Sequence, residues 1–212
     1  MDFLRATVLF LSLCLTALVC LPASLSGQDC YHKDLSPVFD FKTTIRRIDL
    51  SEDLADSCVI SVTVLDKTGR VIQSIEVKSG YLFKGSFASC RDTRSFTTGK
   101  DMKEKAVDND YGDVIVGDFN FDGREDIAIK TVFVGNGGPE YSYYVQDKSR
   151  HFVRENYLTE QVGYFPSRVN KKDKTLTSLV RAGSSESYRI TYRLDASNKW
   201  ARVDKVPVSI IR

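Results

Sequence analysis

The sequence predicts an all-β protein: an antiparallel sandwich, or a small propeller-like set of sheets, carrying an acidic metal-binding loop on a β-hairpin. Three observations predict it. Short β-branched and aromatic runs recur at near-regular spacing, with turn residues between them. No window carries a long apolar stripe at helical spacing. One acidic loop, Asp118-Phe119-Asn120-Phe121-Asp122-Gly123-Arg124-Glu125-Asp126, lies between two apolar runs.

The elements follow in order. Val59 to Leu65 alternates and is β-branched, Asp66-Lys67-Thr68-Gly69 supplies a turn, and Val71 to Val77 returns as hairpin partner. Residues 91 to 112 are polar, with little periodicity, and read as a long loop. Val114-Ile115-Val116 leads into the acidic loop, and Ile127 to Phe133 leads out, so residues 113–134 form the predicted metal hairpin. Gly135-Asn136-Gly137-Gly138-Pro139 is a turn signal. Tyr141 to Val145 and His151 to Val153 flank the turn Asp147 to Arg150. Leu176 to Val180, Tyr188 to Leu194 and Trp200 to Val203 complete the set, joined by Gly183-Ser184-Ser185 and Asp195-Ala196-Ser197-Asn198.

The N-terminus reads as a secretory leader over residues 1–26. Arg5 is followed by an apolar run to Cys20, then Pro22 and small residues. The run is short for a membrane span and lacks a basic stop-transfer flank. Val19 before Cys20 and Leu13 before Cys14 argue against lipidation. Residues 27–212 then form one exported domain, periplasmic or secreted, with no membrane span expected. Cleavage leaves Cys30, Cys58 and Cys90 in an oxidising compartment. Cys58–Cys90 is the expected bridge, closing a loop of roughly 30 residues and contributing about 3–4 kcal/mol. Net charge is +2 from 30 basic and 28 acidic side chains. Such a balance gives no reason to expect a nucleic-acid partner.

The acidic loop places oxygen-bearing side chains at positions one, three, five and nine: Asp118, Asn120, Asp122 and Asp126. Gly123 at position six permits a sharp turn, and Arg124 at seven offers its backbone carbonyl. A hard cation such as Ca2+ takes six to eight oxygens, and this register supplies them. Ile129 stands at position twelve, where a helical EF-hand carries Glu, so Asp126 must close the site early. Phe119 and Phe121 alternate with the ligands and are expected to anchor the loop in the core. No GxSxG elbow, P-loop or HExxH occurs, and the sequence predicts no enzyme.

Asp118-Phe119-Asn120-Phe121-Asp122-Gly123 with Asp126 resembles the calcium loop of FG-GAP and VCBS-type repeats. Over roughly residues 58 to 204 the order of motifs is similar to a family of bacterial exported calcium-binding proteins. That order runs from the strand with Ile72-Gln73 through the calcium hairpin, the Gly-rich turn with Tyr141-Ser142-Tyr143-Tyr144, and Phe152-Val153, to paired strands ending at Trp200. The resemblance implies an immunity-type inhibitor of a lysozyme-like effector of type IV secretion, with a fold like that of periplasmic inhibitors of invertebrate-type lysozyme. The implied partner is a peptidoglycan hydrolase. Its expected contact surface is Gly137, Gly138 and Tyr141, with Ser79-Gly80-Tyr81 as a second candidate. The alternative reading is a structural or adhesive envelope protein in which calcium only stiffens the fold.

Overall fold

The computed structural model describes residues 29–48, 55–133, 137–182 and 186–208. The predicted leader, Gly135-Asn136 and the turn at 183–185 lie outside the described residues. The described residues are nearly all β, in three sheets.

The N-terminal sheet is antiparallel, in the order β1 (Asp29–His32), β2 (Phe39–Arg47), β3 (Ala55–Asp66), β4 (Val71–Phe83). The central sheet runs β5 (Thr93–Ser95), β6 (Val114–Gly117), β7 (Asp126–Phe133), β8 (Pro139–Gln146), β9 (Phe152–Arg154), and β5 pairs with β6 in parallel. A short π-helical segment, Leu158–Val162, leads to the C-terminal antiparallel sheet: β10 (Arg168–Asn170), β11 (Thr175–Arg181), β12 (Ser187–Leu194), β13 (Trp200–Val208). No helix among the described residues is long and apolar enough to cross a membrane.

Strand periodicity explains how these sheets stack. Successive side chains on a strand point to opposite faces. On the central sheet, Val114, Val116, Ile127 and Ile129 join Phe41, Ile60, Val62 and Ile75 of the N-terminal sheet in one core. Their neighbours Ile115, Ala128, Tyr141 and Tyr143 point the other way. They pack on Leu158, Phe165, Leu176 and Tyr192 in a second core. The central sheet is thus covered on both faces, a layered sandwich and not a ring of blades. That is why β6 and most of β7 are buried along their length and read as continuous apolar runs, without polar alternation. Burying one such large side chain contributes about 1.5–3 kcal/mol.

The predicted hairpins occur where expected. Asp66 accepts the Gly69 N–H at 2.9 Å, closing the turn between β3 and β4. β6 and β7 pair antiparallel across the acidic loop, with Gly117 opposite Asp126. The polar stretch 91 to 112 is less irregular than expected, since it contains β5. That three-residue strand has no hydrophobic periodicity of its own; pairing with β6 supplies its order.

The disulfide is Cys30–Cys90, with a Cα–Cα distance of 5.3 Å, and not Cys58–Cys90. Cys58 is a free, buried thiol. It lies on β3 opposite Ser79 of β4, and its side chain points into the first core. Burial raises its thiol pKa. The bridge fastens the edge strand β1 to the segment after β4, across a sequence separation of 60. Spacing along the chain favoured the shorter loop; strand facing decided against it.

Candidate functional site

The acidic loop links β6 to β7 at one end of the central sheet. Asp126, the first residue of β7, is fully buried, and backbone amides satisfy its carboxylate. Oδ2 accepts the N–H of Phe119 at 2.8 Å and of Asn120 at 3.1 Å, and Oδ1 accepts the N–H of Gln146 at 2.9 Å. Burial raises its pKa to about 7, against the lowering effect of those three bonds. The remaining side chains fold the loop on itself. Asp118 accepts the amides of Asp122 at 3.0 Å and Gly123 at 3.2 Å. Asn120 Oδ1 accepts the Asp122 amide at 3.1 Å, and Asp122 Oδ1 accepts that of Arg124 at 2.9 Å. Gly123 has φ +86°, in the left-handed region that the tight turn requires.

Phe119 and Phe121 anchor the loop as expected. Phe119 is buried and meets Tyr143 and Phe165 edge-on, and Phe121 lies against Trp200. Two cations of the chain are drawn to the loop. Lys171 Nζ is 3.2 Å from Asp118 Oδ2, and the Arg124 guanidinium pairs with Asp122.

The donor chemistry fits a hard divalent cation: carboxylates, one amide oxygen and a peptide carbonyl on a tight turn. The arrangement fits less closely. Among the described residues, no group of three or more His, Cys, Asp or Glu side chains converges on one position. Asp126 is committed to backbone amides, and Asp118 and Asp122 face the chain's own cations.

The expected contact surface at Gly137, Gly138 and Tyr141 is not a surface. Tyr141 is 1% exposed. Its hydroxyl donates to Gly112 O at 2.9 Å and accepts the Tyr111 N–H at 3.1 Å. Burial holds its pKa well above the ordinary tyrosine value. Both glycines are buried, and their small size serves internal packing. A Cβ on Gly137 would stand 2.4 Å from the Tyr164 hydroxyl, and one on Gly138 would stand 2.1 Å from Asp108 O. Beside a Gly-rich turn Tyr141 reads as an amphipathic anchor for a partner; the C-terminal sheet covers its face instead.

The second candidate has the opposite character. Ser79-Gly80-Tyr81 lies near the end of β4, an edge strand of its sheet. Ser79 is buried, a Cβ on Gly80 would meet open space, and Tyr81 is 49% exposed. Tyr81 meets Phe83 edge-on, and Phe83 stacks on Phe133 at 3.9 Å between centroids. This aromatic strip borders a cleft of about 420 Å³ that sequence reading missed. One signal pointed to it: Lys130 interrupts the buried run of β7, and a buried lysine requires partners. Asp110 and Asp113 supply them, each at 2.8 Å.

The fold and this edge define an all-β, disulfide-bonded sandwich with an acidic hairpin loop. Such a bridge belongs to an oxidising compartment. No protein-family model matches the chain, and no curated protein matches it significantly. Among solved structures the chain is similar to a Xanthomonas type IV secretion system related protein, with 18% identity over 88% of each chain and a TM-score of 0.53. At that identity the likeness shows a shared fold.

Proposed function

We propose that this chain is an exported binding module that inhibits a cell-wall hydrolase of the lysozyme type, as an immunity protein, through Ser79-Gly80-Tyr81. The observation that carries the reading is Tyr81, a half-exposed aromatic at the end of an edge strand. An amphipathic side chain in that position is the kind that dominates interface energetics. The fold shared with a type IV secretion system related protein supports the same reading. So does the resemblance of the motif order to exported immunity proteins. A muramidase inhibition assay tests it: the parent inhibits, and Tyr81→Ala loses inhibition without a change in melting temperature. Failure of the parent to inhibit any muramidase of the panel sinks the reading.

Calcium at the loop is part of the same proposal. The ion would engage Asp118, Asn120, Asp122, the Arg124 carbonyl and Asp126, and would compete with Lys171 and the Arg124 guanidinium for the carboxylates. Affinity is then weak, in the extracellular range of about 10⁻⁴–10⁻³ M. A purely structural role for the ion has its own support, since the loop is tied into the core through Phe119 and Asp126. Inhibition that persists unchanged in chelator identifies that role.

A further inference from the structure

We propose that the cleft beside β5 binds a small anionic group, a carboxylate or a phosphate, through the Arg94 guanidinium. The cleft lies between the Phe83–Phe133 stack and the loop from Glu104 to Gly112, with a volume of about 420 Å³. Its floor is electrically settled. Lys130 is 2% exposed and makes ion pairs with Asp110 and with Asp113. Asp113 is also fixed by the Phe87 N–H at 2.7 Å.

Arg94 is not settled in this way. It is 8% exposed, and its Nη1 donates to Glu104 O at 2.6 Å. The guanidinium lies 5.6 Å from the Tyr111 ring centroid. A guanidinium carries five N–H donors. Among the described residues no carboxylate pairs with it, which is unusual for a buried cation. A planar fork with free donors matches the oxygens of a carboxylate or phosphate. The exposed rim carries both signs, Arg91 and Lys105 with Asp92 and Glu104, so the preference for an anion rests on Arg94. The Phe83–Phe133 stack gives the cleft an apolar side, suited to an anion on a partly apolar body.

Titration of the mature chain with inorganic phosphate, with alanyl-alanine and with its C-terminal amide tests the proposal, followed by calorimetry and by amide shifts of residues 92–95 and 111–113. The expected result is saturable binding of phosphate or of the free-carboxylate dipeptide, and none of the amide. Whichever probe binds names the source of the anion. Arg94→Gln weakens that binding by about tenfold or more, and Arg94→Lys, which keeps the charge and loses the fork, falls between. Arg94→Lys also serves where Arg94→Gln fails to fold. Absence of saturable binding by either probe overturns the proposal. So does binding to Arg94→Gln, or to Arg94→Lys if the former does not fold, at the parent's affinity.

Discussion

The Asp126 carboxylate accepts the Gln146 backbone N–H at 2.9 Å, which ties the acidic loop to the end of β8. One residue therefore serves two elements, since the same side chain also holds the amides of Phe119 and Asn120. Asp126→Ala leaves three backbone donors without this acceptor, two of them in the buried residues Phe119 and Gln146. The expected cost in chelator is about 3 kcal/mol or more, at roughly 1–3 kcal/mol for each buried unsatisfied group. Asp122→Ala, on the exposed turn, changes stability in chelator by no more than about 0.5 kcal/mol. Urea denaturation in chelator separates the two; equal losses would remove the distinction between anchor and turn.

Calcium at the proposed site is expected to stabilise the folded chain by about 1.4 kcal/mol at tenfold excess over its Kd. That corresponds to a rise of a few degrees in melting temperature. Asp122→Ala abolishes the rise. Lys171→Met removes the cation facing Asp118 and tightens calcium binding by about threefold to tenfold, the scale of one exposed charge pair counted against a divalent ion. Paired melts with and without chelator read both effects. An unchanged Kd in Lys171→Met excludes competition at Asp118.

The Cys30–Cys90 bridge closes a much longer loop than a Cys58–Cys90 bridge would. Chain-entropy arguments assign it about 4 kcal/mol, with measured losses for native bridges of about 2–5 kcal/mol. Cys90→Ser is expected to lose that amount and to loosen β1. Cys58→Ala removes only a buried thiol, costs less, and leaves the disulfide intact. Non-reducing peptide mapping of the Cys58→Ala variant checks the pairing directly.

His32 gives the fold a pH dependence of known sign. It is buried on β1 with its ring Nε2 3.2 Å from Thr43 Oγ1, and burial holds its pKa below the ordinary 6.5. Below pH 6.5 the unfolded chain takes up the proton first. Stability from this group is therefore complete above that pH and declines as the pH falls toward the lower folded value. His32→Gln flattens the slope of the urea midpoint between pH 7 and 5. Parallel slopes for parent and variant would show that His32 does not contribute.

Tyr141→Phe separates core from surface. It leaves the part-buried Gly112 carbonyl and Tyr111 amide without their hydroxyl partner, at a cost of about 1–2 kcal/mol. It leaves hydrolase inhibition unchanged, whereas Tyr81→Ala has the reverse pattern.

The sequence by itself determined the strand class, most hairpins, and the register of Asp118, Asn120, Asp122 and Asp126. These are local properties: alternation, turn chemistry and spacing within a few residues. Tertiary structure decided which faces are covered. Tyr141 and Tyr81 stand on strands of similar composition, yet the C-terminal sheet buries the first while the edge of β4 leaves the second exposed. Spacing made Cys58 the expected partner of Cys90, and strand facing turned Cys58 into the core and left the bridge to Cys30. The cleft at Arg94 joins β5 to β7 and to the end of β4. No window of sequence contains those elements together, because only sheet pairing and stacking bring them into contact.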